Sequence, residues 1–195
     1  ETSDNYNILV YGPWSHGDWA RSSERQAIGN VYFGDNLSRD FQQNYETVFF
    51  NHFLKNDGKG AIDFPEASMY DSGSREWDSY AQWPPKAAET KSFYLGADQK
   101  LTESASADFE NAFVSDPSKP VPYSEDIKMV FTPRKYMTDD QRFAARRPDV
   151  LVYETEVLDD DMTITGEILA KLQVATTGTD ADWVVKIVDV YPAGA

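Results

Sequence analysis

Two histidines, His16 and His52, and no cysteine are found in this chain of 195 residues. Imidazole is the side chain that takes up and releases a proton near neutrality. Thiolate nucleophiles, thiolate metal sites and disulfides are all excluded by composition. His16 stands in "LVYGPWSHG", residues 9–17, where an apolar run breaks at Gly12-Pro13 and the histidine precedes Gly17. A histidine at a loop tip contributes little to packing. From there its ring can face both a group to be deprotonated and a group that orients it. Position alone also fits a bystander. His52 falls on the apolar face of a predicted helix and reads as a packed histidine with one satisfied nitrogen. A metal site built from both histidines and nearby carboxylates has no ligand-spacing signature. No metal and no cofactor are therefore expected. The acidic run "LDDDM", 158–162, lacks the alternating spacing of a calcium loop and reads as a solvated connection.

The elements that must position His16 are legible from periodicity. Residues 6–11, "YNILVY", read as a short buried strand closed by Gly12-Pro13. Residues 18–37 are polar and glycine-spotted, so a loop is expected. From Ser38 to Lys55 the residues Phe41, Tyr45, Val48, Phe49, His52 and Phe53 recur at helical spacing, with Asn36 or Ser38 as cap and "NDGKG" as stop. Strand, loop, helix is an α/β signature. After Gly60 the runs "PEASMYDSG", "KSFYLG", "ADFENAFV", "DVLVYET" and "DWVVKIVDVY" are strand-like, separated by Asp, Ser, Gly and Pro. "DPSKPVP", 116–122, reads as a turn-rich crossing between them. The longest run, Met162 to Val174, alternates with period two around Gly166 and predicts a strand bent or bulged there. An antiparallel sandwich is the expected architecture of this part.

Bulk properties narrow the function classes. Thirty-three acidic against 18 basic residues leave a net charge of −15. A surface that negative repels phosphate backbones, so nucleic acid is not an expected partner. No run approaches the ~20 apolar residues of a membrane helix. "ETSDNYN" at the N-terminus is not a signal peptide, and zero cysteine suits a periplasmic or secreted protein over a cytoplasmic one.

A histidine just past a sheet strand, held by Gly, Pro and Gly, occupies the place where an α/β-hydrolase keeps its catalytic base. "GPWSHG", followed in order by "FFNHFLKNDG", "PEASMYDSGSREWDSYAQWPP", "FYLGADQKLT", "SDPSKPVP", "RRPDVLVYET" and "DWVVKIVDVYP", resembles the cocaine esterase and X-prolyl dipeptidyl peptidase group of serine hydrolases. Within that group the likeness is to α-amino acid ester hydrolases and glutaryl-cephalosporin acylases. The resemblance implies that His16 is the triad histidine. It also implies a mixed fold: residues 1–60 as the C-terminal strand-loop-helix piece of an α/β-hydrolase domain, and 61–195 as the start of a jelly-roll β-sandwich. Both are expected to be incomplete. The nucleophilic serine and triad aspartate of the family lie upstream of the histidine, where this chain has Asp4 and Glu1 but no G-x-S-x-G. Ser15 is too close along one turn to serve as nucleophile. The expected activity is cleavage of small-molecule esters or amides by acyl transfer, with the chain alone inactive. The alternative is a non-catalytic, aromatic-rich β-sandwich that binds a ligand or partner. Trp14 and Trp19 either wall an acyl pocket or pin the loop to the core, the latter being the expectation. A free sheet edge would favour pairing with a second copy, a homo-oligomer.

Overall fold

The computed structural model describes residues 5–21, 27–56, 59, 61–105, 107–126 and 134–192. Glu1–Val157 and Leu158–Ala195 form two separate units. In the first, strand β1, Leu9–Tyr11, runs parallel to β4, Ala67–Asp71, and β4 pairs antiparallel with β5, Glu76–Tyr80. The spatial order is β1-β4-β5. Parallel neighbours need a long crossover, and here it contains the predicted helix. That helix, α2, runs continuously from Leu37–Phe41 through Gln42–Glu46 and Thr47–Phe50 to Asn51–Lys55. Two of its turns, at 42–46 and 51–55, are the wider i→i+5 type.

The helix carries its aromatic stripe to the sheet. Phe41 meets Trp14 at 5.2 Å between ring centroids, and Tyr45 meets Trp77 of β5 at 5.9 Å. Tyr45 and Ser68 of β4 share a hydroxyl hydrogen bond of 2.7 Å. Tyr70 and Trp77 are opposite each other in the β4–β5 register, their rings at 5.3 Å. Phe49 and Phe53 receive Tyr6. Val48 of the predicted stripe is exposed. Each such ring pair adds about 0.5–1.5 kcal/mol beyond burial. Asn36 does sit at the N-cap, but in the left-handed region and without a side-chain cap bond. Ser38 lies inside the first turn, fully buried. In the predicted stop, Asp57, Gly58 and Gly60 lie outside the described residues, as do Glu1 and Asp4.

Three expectations need correction. The first strand is not buried: Leu9 and Tyr11 are exposed, and among the described residues β1 pairs on one side only, with β4. Residues 18–37 are not all loop. They hold helix α1, Asp18–Arg21, and a hairpin of β2, Ala27–Ile28, with β3, Val31–Tyr32. Its two-residue turn starts at Gly29, φ +58°, the first central position where a II′ turn requires glycine. Glycine spacing alone had hidden a hairpin this short. Finally, the strand-like runs after residue 60 pair only in part. β4, β5 and the small β6–β7 pair, Tyr94–Leu95 with Leu101–Thr102, form ladders, and "DVLVYET" contributes one bridge, Glu154 to Lys100. Among the described residues, 107–114 and 158–192 have no strand partners.

Within the second unit the chain bends at Gly166, φ +86°, as its position in the period-two run predicts. The alternating Ile164, Ile168, Leu172 and Val174 stay exposed. Period two is a pattern of side chains along the sequence; a strand also needs a neighbour at hydrogen-bonding distance, and among the described residues the strand predicted over 162–174 is not formed. No helix among the described residues is long and apolar enough to cross a membrane.

Candidate functional site

The His16 loop is built by two successive turns and the start of a helix. Leaving β1, the chain folds back over Pro13, so that the Trp14 amide donates to the Gly12 carbonyl at 2.9 Å. This plants the Trp14 ring among Trp19 at 6.4 Å, Phe41 at 5.2 Å and Trp77 at 5.9 Å. Trp14 thus pins the loop to the helix and sheet.

Next comes a β-turn over residues 15–18, closed by the Asp18 amide donating to the Ser15 carbonyl at 3.0 Å. Gly17, at φ +73°, takes the third position, the type II arrangement that calls for glycine. His16 is therefore the corner residue, and its side chain is exposed. Its ring meets Trp19 edge-on at 6.5 Å. Helix α1 then starts at Asp18.

Beneath the exposed histidine lies a buried carboxylate. Asp18 is 1% exposed. Its Oδ2 accepts from the Ser15 amide at 3.2 Å and from the Ser15 hydroxyl; its Oδ1 accepts from Arg134 Nη1. Ser15 is thus engaged with Asp18, away from any nucleophilic role. Helix α2 grips the same loop: Ser38 Oγ donates to the Asp18 carbonyl at 3.3 Å, and Gln42 Nε2 to the Trp19 carbonyl.

Arg134 opens the 3-10 turn Arg134–Met137, which docks on the β2–β3 hairpin where Thr138 Oγ1 donates to the Ile28 carbonyl at 3.0 Å. Asp18 and Arg134 were not singled out from sequence. An Asp two residues after the histidine is a weak signal, and its partner lies 116 residues away.

Other candidates separate from this loop. His52 is half-buried on α2, edge-on to Phe53 at 4.6 Å. Among the described residues no three His, Asp or Glu side chains converge as a metal cluster. A groove of about 460 Å³ is lined by Asp98, Lys100, Arg142, Arg146, Val152 and Glu154, none of them in the His16 loop.

Beside that groove, Arg142 donates from Nε to Asp140 Oδ2 at 2.6 Å and from its amide to Oδ1 at 2.9 Å. These bonds hold the Asp140 carboxyl down at about 2, against an ordinary 3.8. A depressed folded value means the contribution is present above pH 3.8 and is lost as pH falls from there toward 2. Both side chains are largely exposed, so the effect on stability is small. Arg142→Met should return the Asp140 carboxyl toward 3.8, read by carbon NMR titration of that side chain. An unmoved midpoint would show that Arg142 is not the cause.

Residues 59–195 match the family described as the X-Pro dipeptidyl-peptidase C-terminal non-catalytic domain. Across 95% of its length the chain is 31% identical to the cocaine esterase of Rhodococcus sp. (strain MB1 Bresler), covering 33% of that protein. Among solved structures, an aminopeptidase from the marine sediment archaeon Thaumarchaeota archaeon superposes on 75% of this chain with TM-score 0.65 and 32% identity, covering 24% of that chain. An α-amino acid ester hydrolase superposes on 77% with TM-score 0.61 and 33% identity, covering 26% of that chain. The chain thus spans a third or less of the curated relatives it matches. The likeness read from "GPWSHG" and its ordered followers is borne out at the level of the cocaine esterase and X-prolyl peptidase group.

Proposed function

The chain belongs to the family of X-Pro dipeptidyl-peptidase C-terminal non-catalytic domains, and from its likeness over most of its length to an esterase and an α-amino acid ester hydrolase we propose that it is part of a serine hydrolase, contributing the triad histidine, His16, together with an accessory β-domain. The reading divides the chain into a C-terminal piece of an α/β-hydrolase domain, residues 1–60, and a jelly-roll domain begun by 61–195. The family match from residue 59 supports that boundary. The parallel β1–β4 pair with α2 as crossover supports the α/β piece, with β4 continuing its sheet past the boundary.

One observation carries the assignment of His16. An exposed imidazole sits at the corner of a type II turn that hydrogen bonds between Ser15 and Asp18 close, just after a parallel strand. A proton shuttle needs that combination of a fixed backbone and an accessible ring. His16 would take the proton of a serine hydroxyl attacking an ester or amide carbonyl, then return it to the leaving alkoxide or amine. The serine and the carboxylate that orients the ring would come from sequence beyond this chain, in keeping with the third or less of the relatives' length that it spans. Small esters or amides are the proposed substrates, and the cysteine-free composition supports a periplasmic or secreted location.

A second reading, a non-catalytic β-module that binds a ligand or partner, is favoured by the non-catalytic description of the family over 59–195. The two part company on a simple assay. The 195-residue chain should hydrolyse no ester and take up no serine-directed fluorophosphonate, whereas a longer polypeptide containing it should do both. Labelling of the short chain would place a nucleophile inside it and undo the assignment of roles. Failure of the longer polypeptide to react would leave the binding module.

A further inference from the structure

We propose that Asp18 and Arg134 are positioning residues for the His16 imidazole, so that the segment matching the non-catalytic domain family sets the geometry of the proposed base. The inference rests on His16 being that base. It starts from a carboxylate that is 1% exposed yet fully engaged, with Arg134 on Oδ1 and Ser15 on Oδ2. Taking a cation away from a buried carboxylate is strongly unfavourable, and either relief, neutralisation or movement toward water, changes the bonds that it makes to Ser15. Asp18 cannot move alone. Its amide closes the turn on Ser15, its carbonyl accepts from Ser38, and its side chain accepts from both the amide and the hydroxyl of Ser15. Any shift of this carboxylate opens the turn whose corner is His16.

The cation arrives from a distant segment. Arg134 is 116 residues along the chain, inside the stretch that matches the family described as non-catalytic. Its approach is set by the Thr138–Ile28 bond and by Gly29, where a Cβ would lie 2.7 Å from Thr138 Oγ1. Trp14 and the helix bonds hold the loop's flanks. The Asp18–Arg134 pair holds its tip, and a tip displaced by an ångström misdirects proton transfer.

The test uses the longer enzyme with p-nitrophenyl acetate as probe, activity being expressed per folded molecule. Arg134→Met should lower kcat about 100-fold with KM changed by less than about twofold. Arg134→Lys, which keeps the charge but not the fork, should recover most of that loss. Asp18→Asn should lower kcat in the same way, and combining it with Arg134→Met should add little, as expected of two residues acting through one contact. Should Arg134→Met fail to fold, the near-isosteric Asp18→Asn carries the test. Unchanged kcat and pH profile per folded molecule, with only a lower Tm, would reduce the pair to a structural cross-link and overturn the inference while His16 keeps its role. Normal turnover in His16→Ala would instead remove the base itself.

Discussion

Replacing His16 by alanine in the longer enzyme is expected to lower kcat by about four to six orders of magnitude, the range seen when a triad histidine is lost. The same substitution should leave stability nearly unchanged. The side chain is exposed, its ring meets Trp19 edge-on, and surface changes of this kind stay within about 0.5 kcal/mol. That separation makes the experiment decisive. A histidine that supported the fold would lower Tm and activity together; a proton shuttle lowers turnover alone. A variant with near-normal kcat would take His16 out of the mechanism.

Gly12→Ala should cost about 3 kcal/mol of stability without touching a reacting group. A Cβ at Gly12 would lie 2.5–2.7 Å from three atoms of the Trp14 ring, well inside contact distance. The ring is only part-buried, but it meets Trp19, Phe41 and Trp77, so retreating from the methyl disturbs those contacts. Either the methyl strains the Gly12–Trp14 turn, at about 1–3 kcal/mol, or Trp14 leaves the cluster and forfeits three ring contacts of about 0.5–1.5 kcal/mol each. Tm should fall by roughly 6–12 °C at the 2–4 °C per kcal/mol typical of this chain length. The double variant Gly12→Ala/Trp14→Ala should be little less stable than Trp14→Ala alone, because the clash vanishes with the ring. A Gly12→Ala protein melting with the wild type would show that Trp14 does not anchor the loop.

Much of the local architecture could be read before any coordinates. The recurrence of Phe41, Tyr45 and Phe49 marks α2 because a 3.6-residue period survives translation into side-chain contacts. "PEASMYDSG" contains β4, and its Asp71 caps the turn by accepting from the Gly73 and Ser74 amides. The bend at Gly166 follows from glycine in a period-two run. The β2–β3 hairpin escaped notice because two-residue strands are shorter than any period. The apolar run of β1 predicts burial, yet Leu9 and Tyr11 are exposed, because apolar content alone does not say what packs on a strand's faces.

Composition and motif order by themselves determined the chemistry that is excluded, the family likeness and the exposed place of His16 beside glycine. These depend on residue types and on torsions within a few positions, which a linear string records directly. Tertiary structure alone decided that β1 lies beside β4 across an intervening helix, that 158–192 has no strand partners among the described residues, and that Arg134 reaches the carboxylate under the histidine turn. Pairing across 50 to 120 residues is chosen by which surfaces meet in space after the local elements exist. Neither an aspartate two places past a histidine nor an arginine in a polar run carries a mark of the other.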